Sequence, residues 1–218
     1  MSETTVGPEP GRGCTRCPRL VDYRNEQIRD HPDWFNGPVP SFGDASSRVL
    51  IVGLAPGVTG ANRTGRPFTG DHAGTLLYAT LADYGFSSGV FDARPDDGLE
   101  LRDCLISNAV RCVPPANKPT PAEIVTCRPF FNATMRNMGQ LAAIIALGRI
   151  AHDQVLSARG LKRSQYAFAH GARHAVPAGV TRCASYHCSR YNTNTGVLTP
   201  DMFRAVFASV REYLDGGS

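Results

Sequence analysis

Four short apolar runs punctuate the chain: Val49–Gly53, Leu105–Val110, Ala143–Leu147 and Thr181–Tyr186. Each is short, compact and bounded by turn residues, as strands are. Helix-like stretches lie between and after them, at Gly74–Tyr84, Pro121–Met138, Arg149–Ser157 and Pro200–Leu214. Thr120-Pro121-Ala122-Glu123 is a helix opening with a threonine cap, proline first and glutamate third, and Thr199-Pro200-Asp201 opens the last helix in the same way. Upstream, Cys14 to about Arg29 reads as a short helix behind a cysteine knuckle, followed by a Pro/Gly-rich stretch, His31–Gly43. Strands alternating with helices predict an α/β fold: a four-stranded parallel sheet covered on both faces, in three α/β/α layers. Residues 1–13 read as a flexible tail and residues 14–218 as one domain.

The unusual residues fall after the strands. The first runs into "VGLAPGVTGANRTGRPFTGD" and the second into "NAVRCVPPANKPT"; the third meets "GR" and the fourth "SYHCSRYNTNTG". Open α/β sheets bind ligands at the carboxyl ends of their strands, so one site assembled from several loops is expected. Glycine in the first loop costs conformational entropy, which implies close approach to its backbone or positive φ. A phosphate, a nucleotide or nucleic acid would fit. The loop lacks the G-K-[S/T] ending of a P-loop and is not G-x-G-x-x-G.

Composition narrows the class. With 218 residues and 42% apolar content the chain is long enough for a substantial core. It has no run of eighteen apolar residues and opens on "MSETTVGPEPGRG", without a signal pattern, so a cytoplasmic location off the membrane is expected. Net charge is +4, and Lys118 and Lys162 are the only lysines. Guanidinium forks suit phosphate, making Arg63 and Arg66 candidate phosphate contacts.

Seven cysteines are too many to ignore and odd in number. Cys14 and Cys17 form a C-x-x-C pair in a polar stretch that has no use for core thiols; Cys112 and Cys127 follow downstream. Four thiolates suit zinc or an iron–sulfur cluster, and spacing alone leaves both open. Cys104 and Cys183 fall in strands and read as core. Cys188 adjoins His187, but neighbours on an extended chain point apart, which disfavours a Cys/His nucleophile.

Asp71, Asn108, Asn117 and His187 are the polar positions expected to meet at the sheet edge. Aspartate can orient water, histidine can stabilise a leaving anion, asparagine can read an amide-like edge, and Phe68 offers a face for a base. Each has a plainer role available: Asp71 as a helix cap, Asn117 in a turn, His187 as a satisfied structural histidine.

Together, "GLAPG…NRTGRPFTGD", "NAVRCVPPANKPTP", "ALGR", "HGA" and "SYHCSRYNTNTG", with cysteines at 14, 17, 112 and 127, closely resemble the family-five uracil-DNA glycosylases, from Cys14 to the last helix. The resemblance implies the α/β/α glycosylase fold and a [4Fe–4S] cluster on Cys14, Cys17, Cys112 and Cys127. It also implies an enzyme that flips and excises uracil, and with it other deaminated bases, from single- or double-stranded DNA. With no lysine near the motifs suited to Schiff-base attack, a monofunctional enzyme is expected, and a monomer. In "GLAPG", Gly53 and Ala55 would border the base, Ala55 replacing the water-activating residue of most superfamily members. Asp71 would then be the carboxylate, His187 would face uracil O2, Phe68 would stack and Asn117 would lie in the polar loop nearby. "SRYNTNTG" matches the loop that enters the duplex, with Ser189 and Asn192 on DNA and Arg190 as the wedge. Asn108 falls where families one and four read uracil. A non-catalytic damage-recognising metalloprotein is the alternative, and a hydrolase of free nucleosides a third reading.

Overall fold

The computed structural model describes residues 7–216. In chain order its elements are α1 (Pro18–Asp30), β1 (Phe42–Gly43), β2 (Val49–Gly53), α2 (Ala61–Thr64), α3 (His72–Asp83), β3 (Ser87–Ser88), β4 (Glu100–Leu101), β5 (Cys104–Asn108), α4 (Pro121–Asn137), β6 (Ala143–Leu147), α5 (Arg149–Ala158), β7 (Arg173–Val176), β8 (Val180–Ser185), α6 (Arg190–Asn194) and α7 (Pro200–Leu214). The main sheet runs β1-β5-β2-β6-β8-β7, and β3 pairs with β4 in a separate hairpin.

The four expected strands are its parallel centre, β5-β2-β6-β8. The chain leaves β2 to one side for β5 and returns to its other side for β6, which opens a crevice at the carboxyl ends. Two antiparallel edge strands were not foreseen: β1 spans two residues, and the polar β7 alternates exposure without an apolar run.

Alternation along the buried strands separates the two cores. Val49 and Ile51 of β2 pack with Leu77 and Leu81 of α3 and with Phe203 and Phe207 of α7. Leu50 and Val52 pack on the opposite face with Phe131 of α4 and Val155 of α5. Three layers result. Thr120 Oγ1 accepts from the Glu123 N–H at 3.2 Å while Glu123 Oε2 accepts from the Thr120 N–H at 2.7 Å, and Thr199 caps α7 through the Met202 N–H. The outer helices therefore begin where local chemistry starts them.

The flexible tail expected over residues 1–13 is corrected over its described part. Pro8 O accepts from Arg111 and Thr134, Glu9 Oε1 accepts from the Ser41 N–H at 3.1 Å, and Arg12 donates to Phe35 O at 2.7 Å. The fully buried Arg111 needs those oxygens, because a buried guanidinium without acceptors is costly. The rest of that stretch, residues 1–6, lies outside the described residues.

Candidate active site

A cleft of about 910 Å³ opens at the carboxyl edge. The loop from β2 to α3 forms one wall, the ends of β5 and β8 the floor, and the start of α6 the far rim. Ala55, Arg63, Phe68, Asp71, Asn108, Asn117, His187, Ser189 and Arg190 all line it.

The loop is rigidly built. Thr64 Oγ1 donates to Thr69 O at 3.1 Å, and the Tyr78 hydroxyl donates to Pro67 O at 2.7 Å. Phe68 is held at φ 53° with its ring against Gly53. A side chain at Gly53 would meet that ring at 2.8 Å and also strike Asn108 Oδ1, so glycine here lets aromatic and amide share the floor. Asn108 is only 3% exposed, yet its amide has no protein partner among the described residues.

Asp71 is the N-cap of α3. Its Oδ1 accepts from the Gly74 N–H at 3.1 Å, while Oδ2 lies against Gly60 on the cleft side. The capping role and a position in the cleft hold together, one oxygen serving each. His187 follows β8 and rests on Gly148, whose φ of 96° and lack of a side chain leave it room. Its carbonyl accepts from Asn192 Nδ2 at 2.8 Å. Burial pushes the His187 imidazole below its usual range, with the Asp71 charge pulling weakly the other way, so the ring is neutral at pH 7. Cys188 points into the core and burial pushes its thiol up to about 12, which rules it out as a thiolate nucleophile.

One expected DNA contact is placed elsewhere. Arg66 is 5% exposed, its guanidinium paired with Asp97 through bonds of 2.8 and 2.7 Å and surrounded by the rings of Phe42, Tyr78 and Phe91. It braces the loop from inside and cannot reach a phosphate. Asn192 stands on α6 and donates from Nδ2 to the His187 carbonyl. Asn117 is exposed at the rim, in a turn at φ 56°. The sequence reading missed His72, which lines the mouth and whose Nε2 lies 3.0 Å from Thr193 Oγ1 on α6. Its only sequence signal was adjacency to Asp71.

Residues 40–211 match the family described as the Uracil DNA glycosylase superfamily. The chain belongs to that superfamily. It is 44% identical over 204 residues to a type-5 uracil-DNA glycosylase of Thermus thermophilus, covering 91% of this chain and 92% of the relative. A type-5 enzyme of Mycobacterium leprae is 42% identical over 91% and 90% of the two chains. A type-4 uracil-DNA glycosylase of Pyrobaculum aerophilum is 30% identical over 81% and 78%. Within the superfamily, the type-5 enzymes share more of this sequence.

Cys14, Cys17, Cys112 and Cys127, four of the seven cysteines, line one small cavity of about 20 Å³ between α1, the β5–α4 loop and α4, walled by Leu20, Val110 and Phe130. Burial, and then the neighbouring Cys127, pushes the thiols of Cys17 and Cys112 up to about 11 and about 12. The Arg111 N–H points at Cys127 Sγ, 3.4 Å away, as amides do toward ligating sulfur. Among the described residues no group of three or more Cys, His, Asp or Glu side chains is arranged to hold a metal ion. In residue type, though not in spacing, the donor set suits a thiolate-bound centre: four sulfurs share one apolar cavity and one accepts a backbone N–H.

Proposed function

We propose that the protein is a monofunctional DNA glycosylase that flips uracil out of DNA and hydrolyses its glycosidic bond, initiating base-excision repair. The observation that carries the reading is the meeting of Phe68, Asp71, Asn108 and His187 in one cleft, on a chain of this superfamily. That convergence disfavours a protein that only recognises damage.

The target base must leave the stack to expose its bond, at a cost of a few kcal/mol that is least in a mispair, so a U·G mismatch aids its own selection. Phe68 then stacks on the base, beside Gly53 and Ala55, and the free Asn108 amide meets its polar edge. The C1′–N1 bond breaks with its electron pair passing to uracil. The neutral His187 imidazole donates an N–H toward uracil O2, where that charge collects. Positive charge develops on the sugar as in other glycoside hydrolyses, and Asp71 Oδ2 faces it and orients water. Water oxygen bonds to C1′ and its proton passes through Asp71 to solvent, from which the departing uracil anion takes up a proton, giving an abasic site and free uracil. Asn117 closes the rim over the base. Arg63, Arg190 and Ser189 meet the backbone, with Arg190 entering the duplex and Asn192 setting the loop behind it. Lys118 and Lys162 do not line the cleft, which supports hydrolysis without Schiff-base strand cleavage. One chain supplies the whole cleft, and the reading takes it as a cytoplasmic monomer.

In the same reading Cys14, Cys17, Cys112 and Cys127 hold a [4Fe–4S] cluster. Such a cluster would supply iron–thiolate bonds tying the start of α1 to α4 and to the loop that carries Asn117.

Incubation with labelled uracil-containing duplex should yield alkali-sensitive sites without prior strand breaks. Intact DNA would reject the glycosylase; equal activity on free deoxyuridine, insensitive to salt, would favour the nucleoside hydrolase. A brown protein with a broad violet-edge band supports the cluster, and a colourless zinc-loaded one replaces it with zinc.

A further inference from the structure

A third cavity, of about 560 Å³, lies beside the cleft and shares Arg63 and Ala93 with it. Arg12, Trp34, Phe35, Arg94 and Pro95 supply its other walls, with Asp33 the one carboxylate among its lining residues. Three guanidiniums therefore face one negative charge. Arg94 is 61% exposed, and its 3.1 Å contact with the still more exposed Asp92 is of the kind that contributes little. Arg12 lies 4.5 Å over the Phe35 ring.

Trp34, the only tryptophan, is stacked on His31 at 3.8 Å and 8°, so one face of the indole is already covered and the ring is held. The segment is fastened to the helix that carries Arg63. The Phe35 N–H donates to Arg63 O and the Asn36 N–H to Asn62 O, both at 3.0 Å, and Asn62 Nδ2 donates to Asn36 Oδ1 at 2.9 Å. Trp34 and the active cleft are thus parts of one rigid wall, and a chain leaving the cleft past Arg63 enters the groove directly.

We propose that this groove binds the nucleotides flanking the target on the same DNA strand, with Arg12, Arg63 and Arg94 on successive phosphates and Trp34 against a flanking base. Guanidinium forks with an interleaved, pre-stacked aromatic are what an unstacked strand requires, since every base offers a π face and every linkage a charge. The inference rests on the glycosylase reading and adds the strand path to it.

Fluorescence anisotropy of uracil-containing single strands, measured with the full-length protein against salt concentration, tests it without requiring excision. Arg94→Ala should make the slope of log affinity against log salt shallower by about 0.7. Trp34→Ala should weaken binding by about fivefold or more. Both losses should vanish on a ligand trimmed to the uracil nucleotide alone, which has no flanking nucleotides to place in the groove. Arg204→Ala, an exposed charge on α7, controls for net charge and should keep the parent slope. Parental slope and affinity for Arg94→Ala and Trp34→Ala on long strands would overturn the groove. Should Trp34→Ala unfold, Arg94→Ala, which alters only an exposed side chain, decides alone. Failure of the parent to excise uracil would count against the glycosylase reading, while the binding slopes would still judge the groove.

Discussion

The rings of Phe68 and His187 stand 6.2 Å apart, centroid to centroid, with planes inclined by 32°. That is too close and too tilted for a base to lie between them as a sandwich. A base on the Phe68 face therefore presents its edge to His187, which is where leaving-group charge develops. His187→Ala should lower the single-turnover excision rate by about 10²–10³-fold, the cost of losing one preorganised donor. Affinity for uracil DNA should change far less, because the contact strengthens mainly in the transition state. Equal losses in rate and affinity would remove His187 from the chemistry.

The protonation of His187 supplies a separate check. Burial lowers its pKa and Asp71 opposes that shift. The ring should therefore titrate below 6.5 by NMR, and Asp71→Asn should move the midpoint lower still. The same substitution should slow excision. A midpoint above 6.5 in the parent would contradict the neutral donor.

Arg63 and Arg66 lie three residues apart and should behave oppositely. Arg66→Ala strands Asp97, which the guanidinium holds well below the usual carboxylate range, and should destabilise the fold by about 3–5 kcal/mol. Arg63→Ala should leave the denaturation midpoint in place and weaken DNA binding with a shallower salt slope. Urea melts of the two variants read the difference; a stable Arg66→Ala with impaired DNA binding would reverse the assignment.

Stability should also fall in mild acid. Buried His152 donates from Nε2 to Tyr166 O at 3.0 Å and accepts from Arg182 at Nδ1, and burial, followed by the Arg182 charge, pushes its pKa to about 4. The unfolded chain takes up this proton near pH 6.5 and the folded one does not. Stability is therefore complete above pH 6.5 and declines as pH falls toward 4. From this residue the loss between pH 6.5 and 5 should be about 2 kcal/mol. His152→Gln should flatten that slope in urea midpoints; an unchanged slope would acquit the histidine.

Local chemistry decided much of this protein. Four short, mainly apolar segments alternating with helix-like stretches read as the strands of a parallel sheet, and Thr120 and Thr199 with their prolines started helices without help from the rest of the chain. Loop contents placed Phe68, Asp71, Asn108 and His187 on one rim, since parallel strands all deliver their carboxyl ends to the same side. Only the tertiary structure could separate Arg63 from Arg66, because the carboxylate that buries Arg66 lies 31 residues away. For the same reason the anchoring of Pro8 and Glu9 on Arg111, the His72–Thr193 contact and the groove at Trp34 have no periodic signature. Periodicity reports which face of an element is buried; which charge meets which partner is settled when distant segments pack.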